Sequence, residues 1–295
     1  MSGLSQIQFG PAERESAQRL IALALTEDLG DRGDITTTLM IPATASGTVH
    51  LVARQPGRLS GLPIMAMVFD KIDQSVTIQE HAHDSASLNP GERVATLNGP
   101  TASLLTGERT ALNFITHLSG IATLTQRFVD AAATGKAVIL DTRKTLPGWR
   151  ILQKYAVRCG GGANHRMGLY DGILVKDNHL AAWPPGPLSL AMQHARQGAP
   201  AGVGIEIEVD SLKQLADVLQ AQPDIVLLDN FAPDGMREAI ALRDTVSPKT
   251  RLEASGGVNL ETIAVIAATG VDRISIGALT HSAPALDLAF DWDTT

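Results

Sequence analysis

Six short apolar runs, each ending in a polar or glycine cluster, do most to constrain what this chain can fold into. They read V-I-L-D-T-R-K (Val138–Lys144), I-L-V-K-D-N-H (Ile173–His179), G-I-E-I-E-V-D (Gly204–Asp210), I-V-L-L-D-N (Ile225–Asn230), L-E-A-S-G-G (Leu252–Gly257) and I-S-I-G-A-L-T-H (Ile274–His281). Short β-branched runs of this kind suit strands buried on both faces, as in a parallel sheet. Helix-like patterns such as Leu212–Leu219 and Leu260–Ala267 separate most of them. Strand, polar end and helix in repetition predict an α/β fold of the β/α-barrel type. In that architecture the carboxyl ends of the strands build the active site.

The first half of the chain follows a different pattern. Glu13–Leu25 has helical spacing, and short alternating strands then run from Gly47 to Leu97, punctuated by Gly57, Gly61, Pro90-Gly91 and Asn98-Gly99. This predicts a small α+β sandwich domain. Ala102–Leu118 carries an apolar stripe of Leu105, Leu112 and Ile115 and predicts a connecting helix. The expected organisation is a sandwich domain over residues 1–118, a barrel over 119–282, and a tail, 283–295, packing back on the first domain.

Composition excludes several function classes. The chain of 295 residues is 44% hydrophobic and 19% charged, as in ordinary globular proteins. No apolar run approaches the roughly 18 residues of a membrane span. Met1–Gly10 lacks a basic region followed by an apolar stretch and is not read as a secretory signal. Cys159 is the only cysteine, so an intrachain disulfide and a two-cysteine zinc site are excluded, and a reducing cytoplasm fits. A net charge of −7 speaks against a general nucleic-acid binder. Against that background, clustered cations need a specific reason.

Arg143 and Lys144 end the first barrel strand, after Thr142. His165 and Arg166 sit in the loop G-G-G-A-N-H-R, and Lys176 ends the second strand. Around one barrel mouth these would form a pocket for a small polyanion, since the Arg fork clamps carboxylate or phosphate through parallel hydrogen bonds. Taken singly, each is as well read as a solvated surface charge. An acidic set faces them. Glu206 and Glu208 share one face of their strand because side chains alternate with period two. Glu208 and Asp229, at neighbouring strand ends, could hold Mg²⁺ with its waters, bind ribose hydroxyls, or pair with Lys144 or Lys176. Ser255, Gly256 and Gly257, with Gly277 and Ala278, end the last two strands, where barrels often seat phosphate on loop N–H groups. By pattern, Cys159 is a packed helix-end residue, His281 is as well read as a cap as a ligand, and Arg109 is an ordinary helix-surface arginine.

Together these stretches resemble the quinolinate phosphoribosyltransferases. The resemblance rests on E-D-L-G-D-R-G-D-I-T-T (Glu27–Thr37), G-E-R-T-A-L-N-F (Gly107–Phe114), L-S-G-I-A-T (Leu118–Thr123), D-T-R-K-T-L-P-G-W-R (Asp141–Arg150), K-Y-A-V-R-C-G-G-G-A-N-H-R (Lys154–Arg166), V-K-D-N-H (Val175–His179), L-L-D-N-F (Leu227–Phe231), E-A-S-G-G (Glu253–Gly257) and G-A-L-T-H-S (Gly277–Ser282). Leu146 and Trp149 depart from the Thr and Leu of that pattern, and the loop Trp183–Pro187 is longer than usual. The resemblance implies an incomplete β/α barrel of the type II phosphoribosyltransferases, an N-terminal sandwich, and a homodimer or a multiple of it. It implies a decarboxylating pentosyl transfer from phosphoribosyl pyrophosphate to quinolinate, with Mg²⁺. It assigns Arg143, His165, Arg166 and Lys176 to the quinolinate carboxylates and Arg109 to the site of a neighbouring subunit. Lys144, Glu208 and Asp229 would face the phosphoribosyl pyrophosphate and its metal, and the Ser255–Gly257 and Ile276–Ala278 loops the 5′-phosphate. Other readings are a phosphoribosyltransferase of different substrate, a Schiff-base lyase using Lys144 or Lys176, and a non-catalytic nucleotide-binding protein.

Overall fold

The first helix, Pro11–Leu29, begins at a proline that pre-sets the helical turn, and the Gly10 N–H is taken up by the Glu13 carboxylate at 3.0 Å. The computed structural model describes residues 7–293. Met1–Gln6, the start of the stretch considered for a signal, and Thr294–Thr295 lie outside them. Asp34 caps the next helix, Ile35–Met40, accepting from the Thr37 N–H at 2.9 Å.

The chain forms two compact units: residues 1–126, 145–161 and 279–295, and residues 127–144 and 162–278. In the first unit, β1 (Ser46–Ala53) is followed by the short β2 (Gly57–Arg58), β3 (Thr77–Glu80), the short β4 (Ser87–Leu88) and β5 (Arg93–Pro100). β1 pairs antiparallel with β5, and β5 with β3, while β2 and β4 make a separate ladder. The helix Leu62–Ile72 buries Ile64, Met65, Val68 and Phe69. The predicted connecting helix is longer than its pattern, running unbroken over Thr101–Ala131.

The second unit holds β6 (Val138–Leu140), β7 (Ile173–Val175), β8 (Ile205–Val209), β9 (Ile225–Asp229), β10 (Arg251–Ser255) and β11 (Arg273–Ser275). They form one parallel sheet in the order β6-β11-β10-β9-β8-β7. That is the cyclic order of a barrel opened between its first and second strands, the incomplete β/α barrel expected from the sequence. In place of β7, Ala163 of the glycine-rich loop bridges Leu140 at the free edge of β6. The chain then returns to the first unit as β12 (Leu288–Trp292), which pairs antiparallel with β1.

The compact units are divided differently from the expected domains: the first runs to Gln126 and takes in Thr145–Gly161. The reason lies in the helix Arg150–Cys159, which buries Leu152, Tyr155, Ala156 and Val157. Its polar groups also find partners there: Tyr155 donates to Asp84 at 2.7 Å, Arg158 pairs with Glu13 at 2.7 Å, and Gln153 donates to the Thr280 carbonyl at 3.1 Å. Chain order alone could not distinguish this from a barrel helix.

At the amino ends of the barrel strands, Arg243 is buried and donates to the Thr250 carbonyl at 2.7 Å and to Asp272 at 2.8 Å. Asp272 also accepts from the Leu252 N–H at 2.9 Å and from Lys136 at 2.6 Å. Burial raises the Asp272 carboxyl pKa, but the Lys136, Leu252 and Arg243 donors outweigh it and hold the group below its ordinary 3.8. A depressed folded-state pKa contributes stability that is complete above the unfolded value and fades as pH falls through the folded one. Asp272→Ala leaves a buried guanidinium short of a partner and should cost about 3 kcal/mol at neutral pH. Urea unfolding of both proteins should show that gap, and show it narrowing below about pH 4.

Candidate active site

Asp141, fully buried at the end of β6, organises the mouth of the barrel. Its carboxylate accepts from the Asn164 amide at 2.6 Å and from the His165 backbone N–H at 2.9 Å. The backbone strengthens this tie: the Ala163 N–H donates to the Ile139 carbonyl at 2.8 Å. The loop carrying His165 and Arg166 is thereby fixed beside the strand end carrying Thr142, Arg143 and Lys144. Arg166 is oriented by the Gly172 carbonyl, to which it donates at 2.9 Å.

A cavity of about 580 Å³ opens at these carboxyl ends, lined by Thr142, Arg143, Lys144, His165, Arg166, Leu174, Lys176, Glu208, Leu227, Asp229, Asn230, Ser255, Gly256 and Ser275. Ten of the residues singled out from the sequence therefore meet around one space. Gly257, Ile276, Gly277 and Ala278 do not line it, and the Ile276 N–H donates to the Leu140 carbonyl at 2.9 Å. Arg109 lies exposed on the helix Thr101–Ala131 of the first unit.

The site carries both signs of charge, separated by position. Burial, and then the neighbouring Arg143 guanidinium, push the Arg166 guanidinium below its ordinary value. Two cations crowded at the mouth repel each other, and an entering anion relieves that repulsion. Glu208 is engaged by Lys176 in an ion pair, one of the pairings the sequence left open. Asp229 accepts from its neighbour Asn230 at 2.9 Å. Asn230 adopts a positive φ of 56° and donates its N–H to the Ser255 carbonyl at 2.9 Å. Gly256, at φ 96°, lets that approach happen: a Cβ there would lie 2.1 Å from the Asn230 side-chain oxygen.

Below the mouth lies a cluster that sequence reading assigned only in part. Glu206, buried, sits 3.1 Å from His165 Nε2, and the fully buried Glu253 sits 3.4 Å from the same atom. Arg273 reaches Glu253 at 2.7 Å. Burial alone would lower the His165 pKa, but its hydrogen bonds to Glu206 and Glu253 and their charges overturn that and bring it up to about 9. Glu253 and Arg273 were missed, although a signal was available. Each stands two residues before a serine that lines the cavity, so strand alternation turns each to the same face as Ser255 or Ser275. Cys159 is fully buried, and burial pushes its thiol up to about 11, which suits a packed residue and not a nucleophile. Trp149, one departure from the family pattern, stacks on Phe114 with ring centroids 4.9 Å apart.

The arrangement matches known proteins along its length. Residues 34–119 match the quinolinate phosphoribosyl transferase N-terminal domain, and residues 121–291 its C-terminal domain. The chain belongs to the quinolinate phosphoribosyltransferase family. Among its relatives is the carboxylating nicotinate-nucleotide pyrophosphorylase of Mycobacterium leprae, 45% identical over 95% of this chain and 98% of that one. A probable enzyme of the same name from Bacillus subtilis is 42% identical over 93% of this chain and 92% of that one. The solved nicotinate-nucleotide pyrophosphorylase of Francisella tularensis superimposes with a TM-score of 0.89 at 37% identity, covering 99% of this chain and all of that one. No helix among the described residues is long and apolar enough to cross a membrane.

Within this family member, the crowded cations make a direct prediction. A small dicarboxylate should raise the melting temperature by filling the mouth, with about 2.7 kcal/mol of added stability at a hundredfold excess over Kd. Arg143→Ala should lose most of that shift in a thermal-melt titration while keeping the fold.

Proposed function

We propose that this protein joins quinolinate to phosphoribosyl pyrophosphate, giving nicotinate mononucleotide, pyrophosphate and CO₂, as a step of NAD biosynthesis. The observation that carries the reading is the convergence of Arg143, His165, Arg166 and Lys176 with Glu208 and Asp229 around one cavity, in a chain of this family. Two substrate carboxylates answer the cations. The carboxylates of Glu208 and Asp229 face the ribosyl side.

Loss of pyrophosphate leaves positive charge on the ribose C1. Glu208 and Asp229 favour that charge, and Lys144 stabilises the departing phosphates. Arg143 and Arg166 hold the pyridine ring so that its nitrogen is in line for attack, and positioning supplies much of the rate. Once ribosylated, the cationic ring nitrogen stabilises the electron pair left on the adjacent ring carbon as its carboxylate departs as CO₂, and a proton from water then bonds to that carbon. No lysine imine is required.

The residues fit a magnesium ion of the kind that needs few protein ligands. Glu208 and Asp229 offer one carboxylate each into the cavity, which suits an ion held by one or two carboxylates, waters and substrate phosphates. When bound, the ion would supply charge neutralisation of the pyrophosphate. A cytoplasmic location accords with the single, buried cysteine.

With quinolinate, phosphoribosyl pyrophosphate and Mg²⁺, the protein should release CO₂ and nicotinate mononucleotide. Excess chelator should stop the reaction. Nicotinate should be a poor substrate, because a monocarboxylate covers cations of the mouth without giving them their second carboxylate, at a cost of a few kcal/mol, roughly a hundredfold or more in efficiency. Comparable efficiency with nicotinate would sink this reading.

The same reading makes the active unit a homodimer in which Arg109, exposed on its helix, reaches quinolinate in the neighbouring subunit. Arg109→Ala and Lys144→Ala should each be inactive alone. Mixed heterodimers should regain about half of the sites, since one site in two then draws an intact residue from each chain. Verified heterodimers without activity would place Arg109 in its own chain's site.

A further inference from the structure

The amino ends of the barrel strands hold a second cavity, of about 510 Å³, at the opposite end of the strands from the active site. In β/α barrels that end ordinarily serves stability. Here its rim is cationic. Arg196 comes from the last turn of the helix Leu188–Gly198, Lys249 from the loop after the helix Pro233–Val246, and Arg251 from the start of β10. Asp224 is the one carboxylate among the residues that line the space.

The floor of this cavity is satisfied by the protein itself. Ser247 and Thr250 are buried, their hydroxyls lie 2.9 Å apart, and Thr250 donates to the Pro223 carbonyl at 2.7 Å. The rim is not satisfied in the same way. Arg196 donates to the Gln222 carbonyl at 2.6 Å, and Gln222 takes a positive φ of 49°, a conformation rare outside glycine. The guanidinium keeps further donors beyond that bond. Among the described residues, neither the Lys249 nor the Arg251 side chain has a hydrogen bond or an ion pair. Asp224 lines the same space without pairing with these cations. One of its carboxylate oxygens accepts from the Ile205 N–H at 2.8 Å, and its backbone carbonyl accepts from the Arg251 N–H at 3.0 Å. The second carboxylate oxygen is left as an acceptor.

A single exposed lysine or arginine needs no explanation. Convergence sets these apart. Three cations less one carboxylate leave a local charge of +2 around one concave space, in a chain whose net charge is −7. Cations that share a space repel one another, and an entering anion relieves the repulsion. Arginine clamps phosphate through paired donors and lysine meets it as a point charge. The volume falls within the roughly 300–1,000 Å³ of small-molecule sites. Asp224 narrows the ligand class further, since its free oxygen repels a bare phosphate but accepts from a hydroxyl. A phosphate ester of a sugar uses both features. We infer that this cavity is a second binding site, for a nucleoside phosphate, whose phosphates meet Arg196, Lys249 and Arg251 and whose ribose hydroxyl donates to Asp224. None of these residues lines the active-site cavity, so the inference does not rest on the quinolinate reading.

Isothermal titration of the full chain with ADP, pyrophosphate and adenosine tests this. An Arg143→Ala/Lys144→Ala background weakens the hold of the active site on phosphates. In it, ADP should saturate at about one per chain with Kd below about 1 mM at low salt, and adenosine should not bind. Adding Lys249→Ala and Arg251→Ala should weaken ADP at least about tenfold. Both side chains are exposed, so the ligand-free melting temperature should stay within about 2 °C. Asp224→Asn keeps an acceptor for the Ile205 N–H while removing the charge. It should tighten pyrophosphate about threefold and leave ADP no tighter, because the lost hydroxyl contact offsets the lost repulsion. Three results would each overturn the inference: no saturable ADP binding, ADP binding indifferent to the loss of Lys249 and Arg251, or an Asp224→Asn effect of the same size and sign on ADP and pyrophosphate.

Discussion

The buried carboxylate of Asp141 is the constraint on which the rest of the site depends. A parallel sheet opened between its first and second strands leaves a free edge at β6, and an unpaired edge costs hydrogen bonds. Ala163 occupies part of that edge, and Asp141 binds the adjoining Asn164 and His165. The gap in the barrel is therefore where two of the pocket's cationic groups, His165 and Arg166, enter. A closed barrel would have β7 at that position.

Electrostatic cost is distributed by depth. Near the mouth, Arg143 and Arg166 repel each other and Lys176 turns to Glu208. Deeper, Glu206, Glu253 and Arg273 gather around His165. Such a cluster is weak support for stability, since replacing it with apolar side chains often does no harm to a fold. Its place directly under the anion pocket gives it a different meaning: it fixes the orientation of His165, which lines that pocket. Stability is supplied at the opposite end of the strands, where Arg243 and Asp272 join a helix to the starts of β10 and β11.

Strand alternation made much of the site legible in advance. Arg143, Lys144, Lys176, Glu208, Asp229 and Ser255 each fall at the polar end of an apolar run, and all of them reach the cavity. The same rule, applied one step further back along β10 and β11, points to Glu253 and Arg273. They were passed over because the reading stopped at the strand ends, and only the barrel makes that face an interior. Ile276–Ala278 show the converse: an attractive glycine-containing turn, but its Ile276 N–H is committed to the Leu140 carbonyl of the neighbouring strand end.

The sequence by itself determined the class of fold, the two-part organisation and the chemistry of the strand ends, because period-two burial and helical spacing are local properties of the chain. Its motifs also determined the family, since they recur in order over most of its length. Only the tertiary structure decided where the barrel opens, that Arg150–Cys159 packs with the first unit, and that Glu206 and Glu253 converge on one histidine. These depend on contacts between residues far apart in the chain. A buried charge is placed by whichever partner the fold brings within about 3 Å, and the order of residues does not specify that partner.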